Sequence, residues 1–277
     1  MQRRWLPLFV AALGLSFGLI GLASAADLTQ QTPFYSRELP APAPTWTGFY
    51  LGFNGGWGWT NSATTTLTPT GATSIADITP QTLSEGQTGA LFGGQIGFNW
   101  QFYSPWVLGV EGDFDGTGIS RTQQTVFPSL LSPPDTDAFS ATEKATWLAS
   151  ARARLGYAWA PGAGLFYVTG GGAWERTTTK VLVSANTGFD VFGDSDIGDF
   201  STTNSGWVVG AGYEWMVTPN WIVRGEYLFY DFNKTNTYSL ALANDCAAIN
   251  TCGVNVSNTV KDINSFRLGV SYKFWNW

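Results

Sequence analysis

The sequence predicts an all-β protein, an eight-stranded antiparallel up-and-down transmembrane β-barrel with long extracellular loops. Three observations carry this. Segments of nine to fourteen residues alternate large apolar with small or polar side chains, a period of two that belongs to strands. Tryptophans gather at the segment ends, and indole rings favour a membrane–water boundary. Charged residues are only 12% of the chain while aromatic residues are 16%, about half the charge usual in soluble domains.

The N-terminus comes first. Arg3 and Arg4 precede an apolar run from Trp5 to Leu22, closed by Ala23-Ser24-Ala25. A basic start, an apolar centre and a small-x-small site make residues 1–25 a signal peptide for export. Residues 26–45 include PAPAPT and lack periodicity, so they read as a Pro-rich periplasmic linker. Residues 46–277 are left for the barrel.

Eight segments alternate. In 46–59 the large lane is Phe49, Leu51, Phe53, Gly55, Trp57 and Trp59, against Gly48, Tyr50, Gly52, Asn54, Gly56 and Gly58. In 89–100, Ala90, Phe92, Ile96, Phe98 and Trp100 face away from Gly93, Gln95, Gly97 and Asn99. In 106–114, Trp106, Leu108, Val110 and Phe114 oppose Gly109, Glu111 and Asp113. In 146–159 the Trp147-to-Trp159 lane opposes Ser150, Arg152, Arg154 and Gly156. In 165–174, Phe166, Val168 and Trp174 oppose Tyr167, Thr169 and Ala173. In 206–215, Trp207, Val209, Ala211, Tyr213 and Trp215 oppose Gly210, Gly212 and Glu214. In 221–230, Trp221, Val223, Tyr227 and Phe229 oppose Arg224 and Glu226. In 265–274, Phe266, Leu268, Val270, Tyr272 and Phe274 oppose Arg267, Gly269, Ser271 and Lys273.

Connections at 101–105, 160–164 and 216–220 are tight turns marked by Pro. Those at 60–88, 115–145, 175–205 and 231–262 are long, polar and structureless by pattern. Short turns at one end and long loops at the other are what transmembrane barrels have.

Periodicity alone leaves open which lane faces in. A soluble barrel buries its apolar lane; a membrane barrel turns it outward. Tryptophan placement decides for the membrane, with a girdle of Trp46, Trp59, Trp100, Trp106, Trp159, Trp174, Trp215 and Trp221. The segment lengths agree, since a tilted strand needs about 9–11 residues to cross a bilayer. The polar lanes then line the lumen with four acids and five bases, Glu111, Asp113, Glu214 and Glu226 with Arg152, Arg154, Arg224, Arg267 and Lys273. Both signs on facing strands suggest structural ion pairs, Glu111 with Arg152 or Arg154 and Glu214 with Arg224 foremost. The four long loops hold fourteen acids and six bases, so the acidity sits there. That argues against nucleic acid as a partner and suits divalent cations bridging to lipopolysaccharide.

In an exported chain Cys246 and Cys252 suggest a disulfide. The sequence holds no His, which removes His-based nucleophile systems and His metal sites. No catalytic residue, metal ligand or cofactor is predicted. Glu111 and Asp113 as a carboxylate pair, and Gly170-Gly171-Gly172 as a phosphate loop, are weaker readings than ion pairing and close strand packing.

WTGFYLGFNGGWGW, WVLGVEGDFD, ASARARLGYAW, LFYVTGGGAWERT, GWVVGAGYEWMVTPNWIVRGEY and FRLGVSYKF together resemble the alphaproteobacterial outer-membrane immunogenic protein family, small porin-like proteins with an OmpA-like barrel. The resemblance covers the chain from about residue 40 onward except the long loops. It implies a surface-exposed, antigenic protein of the outer membrane, embedded in its lipid and inserted by the barrel-assembly machinery. It implies no catalytic residues. The family's C-terminal assembly signal maps onto Phe266, Leu268, Val270, Tyr272 and Phe274, although Trp275-Asn276-Trp277 follow. The function expected is structural: envelope integrity and surface loop display. The alternatives are a narrow porin-like channel for small solutes, or loop-mediated binding of a haem-type ligand or host surface, for which Tyr238 is the one residue to name.

Overall fold

The computed structural model describes residues 45–61, 63–71, 80–128, 136–159, 162–186, 196–241 and 252–274. The expected signal peptide, the expected linker before Thr45, Cys246 and the 275–277 tail lie outside these residues. So does the Cys246–Cys252 pairing.

The described strands are β1 (Gly48–Trp59), β2 (Ala63–Gly71), β3 (Gln81–Glu85), β4 (Thr88–Tyr103), β5 (Trp106–Thr117) and β6 (Ser120–Pro128). They continue with β7 (Thr136–Trp159), β8 (Gly164–Asn186), β9 (Asp196–Met216), β10 (Trp221–Ala241) and β11 (Cys252–Lys273). All belong to one antiparallel sheet, ordered β1-β4-β5-β7-β8-β9-β10-β11-β2-β3, with β6 against β7. Strand β1 pairs with β4 on one side and β11 on the other. The sheet therefore closes on itself as a β-barrel.

In the lower part of the barrel, next to the tight turns, the outward lane is apolar. Phe53, Phe92, Val110, Val168 and Leu268 are each about 60% exposed or more, while the alternate residues Asn54, Glu111, Thr169 and Arg267 are buried. This apolar band runs from Trp106, Trp159, Trp215 and Trp221 at one edge to Trp57, Trp174 and Trp207 at the other, all exposed.

Two expectations are corrected. The long connections are not structureless. Strands β2, β3 and β6 lie wholly within them, and β7 to β11 run through them to lengths of 21–24 residues. Beyond Trp174 the outward lane of β8 becomes Arg176, Thr178 and Lys180, and the inward lane closes on Val181. Alternating Thr and Val hold such a strand in water, and hydroxyl pairs such as Thr122–Thr142 at 3.0 Å and Thr235–Thr259 at 2.9 Å bridge neighbours.

The second correction is Trp46. It is fully buried and not part of an outward girdle. Its indole Nε1 donates to the Gly162 carbonyl at 2.9 Å, and it packs with Val107, Ala158, Leu165, Met216 and Ile222 inside the turn end of the barrel. Parity explains this: Trp46 shares the even lane of Gly48 and Tyr50, which points inward.

Inside, apolar and polar layers alternate. Above the Trp46 cluster lies a charged layer. Next comes a second apolar cluster of Ile119, Ala145, Leu148, Ala173, Val208, Leu228, Tyr230, Phe232 and Ile263. A polar layer around Arg121 and Glu143 follows, and then a third apolar cluster of Leu67, Phe139, Ala141, Val181, Val254 and Val256.

Candidate functional site

Among the described residues the charged layer gathers most of the buried ion pairs. Eight of the nine inner-lane charges read from the sequence meet in it. Strands β5 and β10, four places apart in the strand order, supply Glu111 and Asp113 from one wall and Arg224 and Glu226 from the opposite one. Strands β7, β9 and β11 add Arg152 and Arg154, Glu214, and Arg267.

Glu111 sits at the centre. Arg224 grips it with two bonds, Nη1 to Oε1 at 2.9 Å and Nη2 to Oε2 at 2.7 Å, the bidentate geometry that suits a guanidinium to a carboxylate. Arg152 Nη2 donates to Glu111 at 2.6 Å and to Asp113 at 2.9 Å, and its Nη1 reaches Glu226 at 2.9 Å. Arg154 lies 3.2 Å from Glu111 and 2.9 Å from Glu214. Arg224 also approaches Glu214 at 3.8 Å. Arg267 bridges Asp113 at 3.0 Å and Glu226 at 2.9 Å, and it also binds Asp115.

Neutral groups add further bonds to the carboxylates. Tyr50 OH donates to Glu111, Ser150 Oγ to Asp113, and Tyr167 OH to Glu226 at 2.9 Å. The Arg154 guanidinium lies over the Tyr167 ring, 3.9 Å from its centroid. The inner-lane glycines make room for these rings. A Cβ on Gly97 would strike the Tyr50 phenol, and one on Gly212 the Tyr167 phenol. Each tyrosine lies over the glycine that it faces across the ladder.

Lys273 stays outside this network. Its Nζ donates to the Thr45 carbonyl and lies 3.8 Å from Met216 Sδ at the turn end. Asp115 was not anticipated, although it continues the parity of Glu111 and Asp113; the drop in outward hydrophobicity after Phe114 cuts the segment one residue short. The second polar layer was also missed, because Arg121 and Glu143 fall in a stretch that reads as loop. Arg121 Nη2 meets Glu143 at 2.7 Å, and its Nη1 donates to the carbonyls of Ala63 at 2.6 Å and Glu85 at 2.9 Å.

Of the girdle residues, Trp100, Trp106, Trp159, Trp174, Trp215 and Trp221 are exposed on the outer face, and Trp59 is half-buried. Phe266, Leu268, Val270, Tyr272 and Phe274 all face outward on β11 or just beyond it. Tyr238 stacks on Phe200 with centroids 4.5 Å apart, and its hydroxyl is buried. Among the described residues, no three Asp, Glu, Cys or His side chains gather as a metal centre.

A closed sheet with an apolar outer band and a charged interior is a membrane-spanning β-barrel, since the backbone ladders through the apolar band close on themselves and the charge is kept from lipid. The comparisons agree. Residues 15–274 match the profile of the outer membrane protein beta-barrel domain, and the chain belongs to that family. It is an integral protein of the outer membrane. It is 30% identical over 258 residues to a 31 kDa outer-membrane immunogenic protein of Brucella melitensis, covering 91% of this chain and 93% of that one. A 22 kDa outer membrane protein of Rhizobium leguminosarum is 29% identical, with 86% and 83% covered. Among solved structures, the outer membrane protein OprG of Pseudomonas aeruginosa aligns over 84% of this chain and 99% of its own, at 11% identity and a TM-score of 0.44.

Proposed function

We propose that this protein is an eight-stranded, lumen-plugged barrel that anchors an extracellular β-structure in the outer membrane, as a surface antigen and a contributor to envelope integrity, without enzymatic activity. The observation that carries this reading is the guanidinium–carboxylate layer that spans the lumen from β5 to β10. A barrel of this strand number is only wide enough for side chains to fill. Here four guanidinium groups and five carboxylates are tied to one another, and apolar clusters lie above and below.

The glycine-rich inner lanes favour the plugged reading over a narrow channel. The space they leave is taken by Tyr50 and Tyr167. Glu111 and Asp113 are each held by guanidinium groups, which speaks against acid–base work. The Brucella relative is an immunogenic outer-membrane protein, which supports surface display. The C-terminal residues Phe266 to Phe274 are the segment we assign to the barrel-assembly machinery, and lipopolysaccharide is the partner we assign to the outer surface. Single-channel recording of refolded protein in planar bilayers tests the central reading. Silent bilayers are expected. Steady open steps in the wild-type protein would overturn it.

A further inference from the structure

The polar layer above Trp174 contains a carboxylate with no cation of its own. Glu175 on β8 is fully buried. Its Oε1 accepts a bond from Asn204 Nδ2 at 3.0 Å, and its Oε2 accepts none. The layer runs around the wall. Asn204 on β9 accepts from Asn236 on β10 at 3.2 Å, and Asn236 faces Asn258 on β11 across the ladder. Asn258 faces Thr65 on β2 and donates to Thr179 on β8 at 3.2 Å. Thr65 donates across the lumen to Glu143 on β7, which faces Thr179.

Two features of this layer point to a ligand. The first is charge. Glu143 is answered by Arg121, and every bond of Arg121 goes to Glu143, Thr65 or the carbonyls of Ala63 and Glu85. Gln87 Nε2 completes Glu143 at 2.8 Å. Lys144, Arg176 and Lys180 on the adjoining walls point outward and are exposed. Among the described residues one negative charge is left, on Glu175. The second feature is the kind of atom left without a partner. Glu175 Oε2 and Asn258 Oδ1 are buried oxygens without a hydrogen-bond donor, and the Thr177 hydroxyl, on the same inward lane, has the Glu175 carboxylate as its one polar neighbour. Apolar clusters cover the layer on both sides, and a lone buried charge there is costly unless it is compensated.

We propose that this layer binds one hard monovalent cation of the sodium class, held by the Glu175 carboxylate with the neutral oxygen of Thr177 and others of the layer. One such ion brings the layer to neutrality, whereas a divalent ion would leave it positive between two apolar clusters. A proton competes for the same carboxylate: burial, with a smaller contribution from Glu143, pushes Glu175 up to about 7. Loading is therefore favoured at high pH and opposed at low pH.

The test is thermal unfolding of the refolded full-length chain in detergent, in sodium chloride or N-methylglucamine chloride at equal ionic strength. At about pH 8.5 sodium raises the midpoint by about 3–5 °C, and at about pH 5 the two salts give the same midpoint. Glu175→Gln removes the sodium dependence, while Asp199→Asn, at an exposed acid, keeps it. Thr177→Val removes an oxygen but no charge, and raises the sodium concentration for half effect about tenfold. A sodium effect that persists in Glu175→Gln, a wild type indifferent to sodium at the higher pH, or stabilisation by calcium but not sodium would each overturn the proposal.

Discussion

The two halves of the barrel are inside-out versions of each other. Below Trp174 the outer lane is Phe, Val, Leu and Trp, and the interior is a charged network. Above it the outer lane is Thr, Lys and Arg, and the interior closes on Leu67, Phe139, Val181, Val254 and Val256. Strand β8 carries both patterns on one inward lane, from Leu165 through Tyr167, Ala173 and Glu175 to Val181, with no break. Only the solvent outside it changes. Lipid demands an apolar exterior and tolerates charge inside only when it is paired. Water accepts a polar exterior and rewards an apolar interior.

The largest expected effect tests the lower half. Arg152→Met leaves Glu111, Asp113 and Glu226 short of a shared partner, and breaking a buried network of this kind costs about 3–5 kcal/mol. Urea titration of refolded protein, read by heat-modifiable gel mobility, is expected to show that loss. A shift within error would mean that the network is dispensable and the comparison misplaced. In the upper half the equivalent blow is Phe139→Ala, at about 3 kcal/mol for a cavity in a packed core. Its damage is expected to be local: proteases cut the extension while the boiled and unboiled mobilities of the remaining barrel still differ. Global loss of that difference would mean that the two halves fold as one unit.

A matched pair sharpens the contrast at the surface. Val110→Arg, on the outer face of β5, is expected to cost about 2–4 kcal/mol in bilayer vesicles. Thr178→Arg, on the outer face of β8 above Trp174, stays within about 0.5 kcal/mol. Similar costs at both positions, measured by the same refolding titration, would move the membrane boundary. The smallest effect is Thr235→Ala, which removes one exposed cross-strand hydroxyl pair and lowers stability by about 0.5 kcal/mol.

The lower half was legible in the sequence because lipid imposes a strict alternation. Trp106, Leu108 and Val110 against Glu111 and Asp113 could be sorted without coordinates. The upper half was not, for two physical reasons. Its outer lane is Thr, Lys and Arg, which looks like loop when the inner lane also carries Glu175, Thr177 and Thr179. Irregular pairing also breaks the period. In β7 the buried residues are Phe139, Ala141, Glu143 and Ala145, and after a register shift they become Leu148, Ser150 and Arg152. In β11 they pass from Val254, Val256 and Asn258 to Ile263 and Ser265. This change lies opposite a shift at Asp231 and Lys234, where Asn233 has a φ of 36°, a region that Asn tolerates better than most side chains. The ion-pair partners were legible as a set and not as a wiring. Parity puts Arg267 and Asp113 inside, but only closure of the sheet brings β11 and β5 within reach of each other.

The contact between Lys273 and Thr45 joins the two ends of the ring. Phe274 N donates to the Phe49 carbonyl at 2.9 Å, so the first and last strands are already laced by backbone. Lys273 adds a hook from the end of β11 to the residue that precedes buried Trp46. A barrel that unzips along its β1–β11 joint must release this hook first. The rate of opening, more than the final balance between open and closed forms, is then set at the turn end of that joint. Lys273→Met should show as faster unfolding in a denaturant jump with refolding left nearly unchanged.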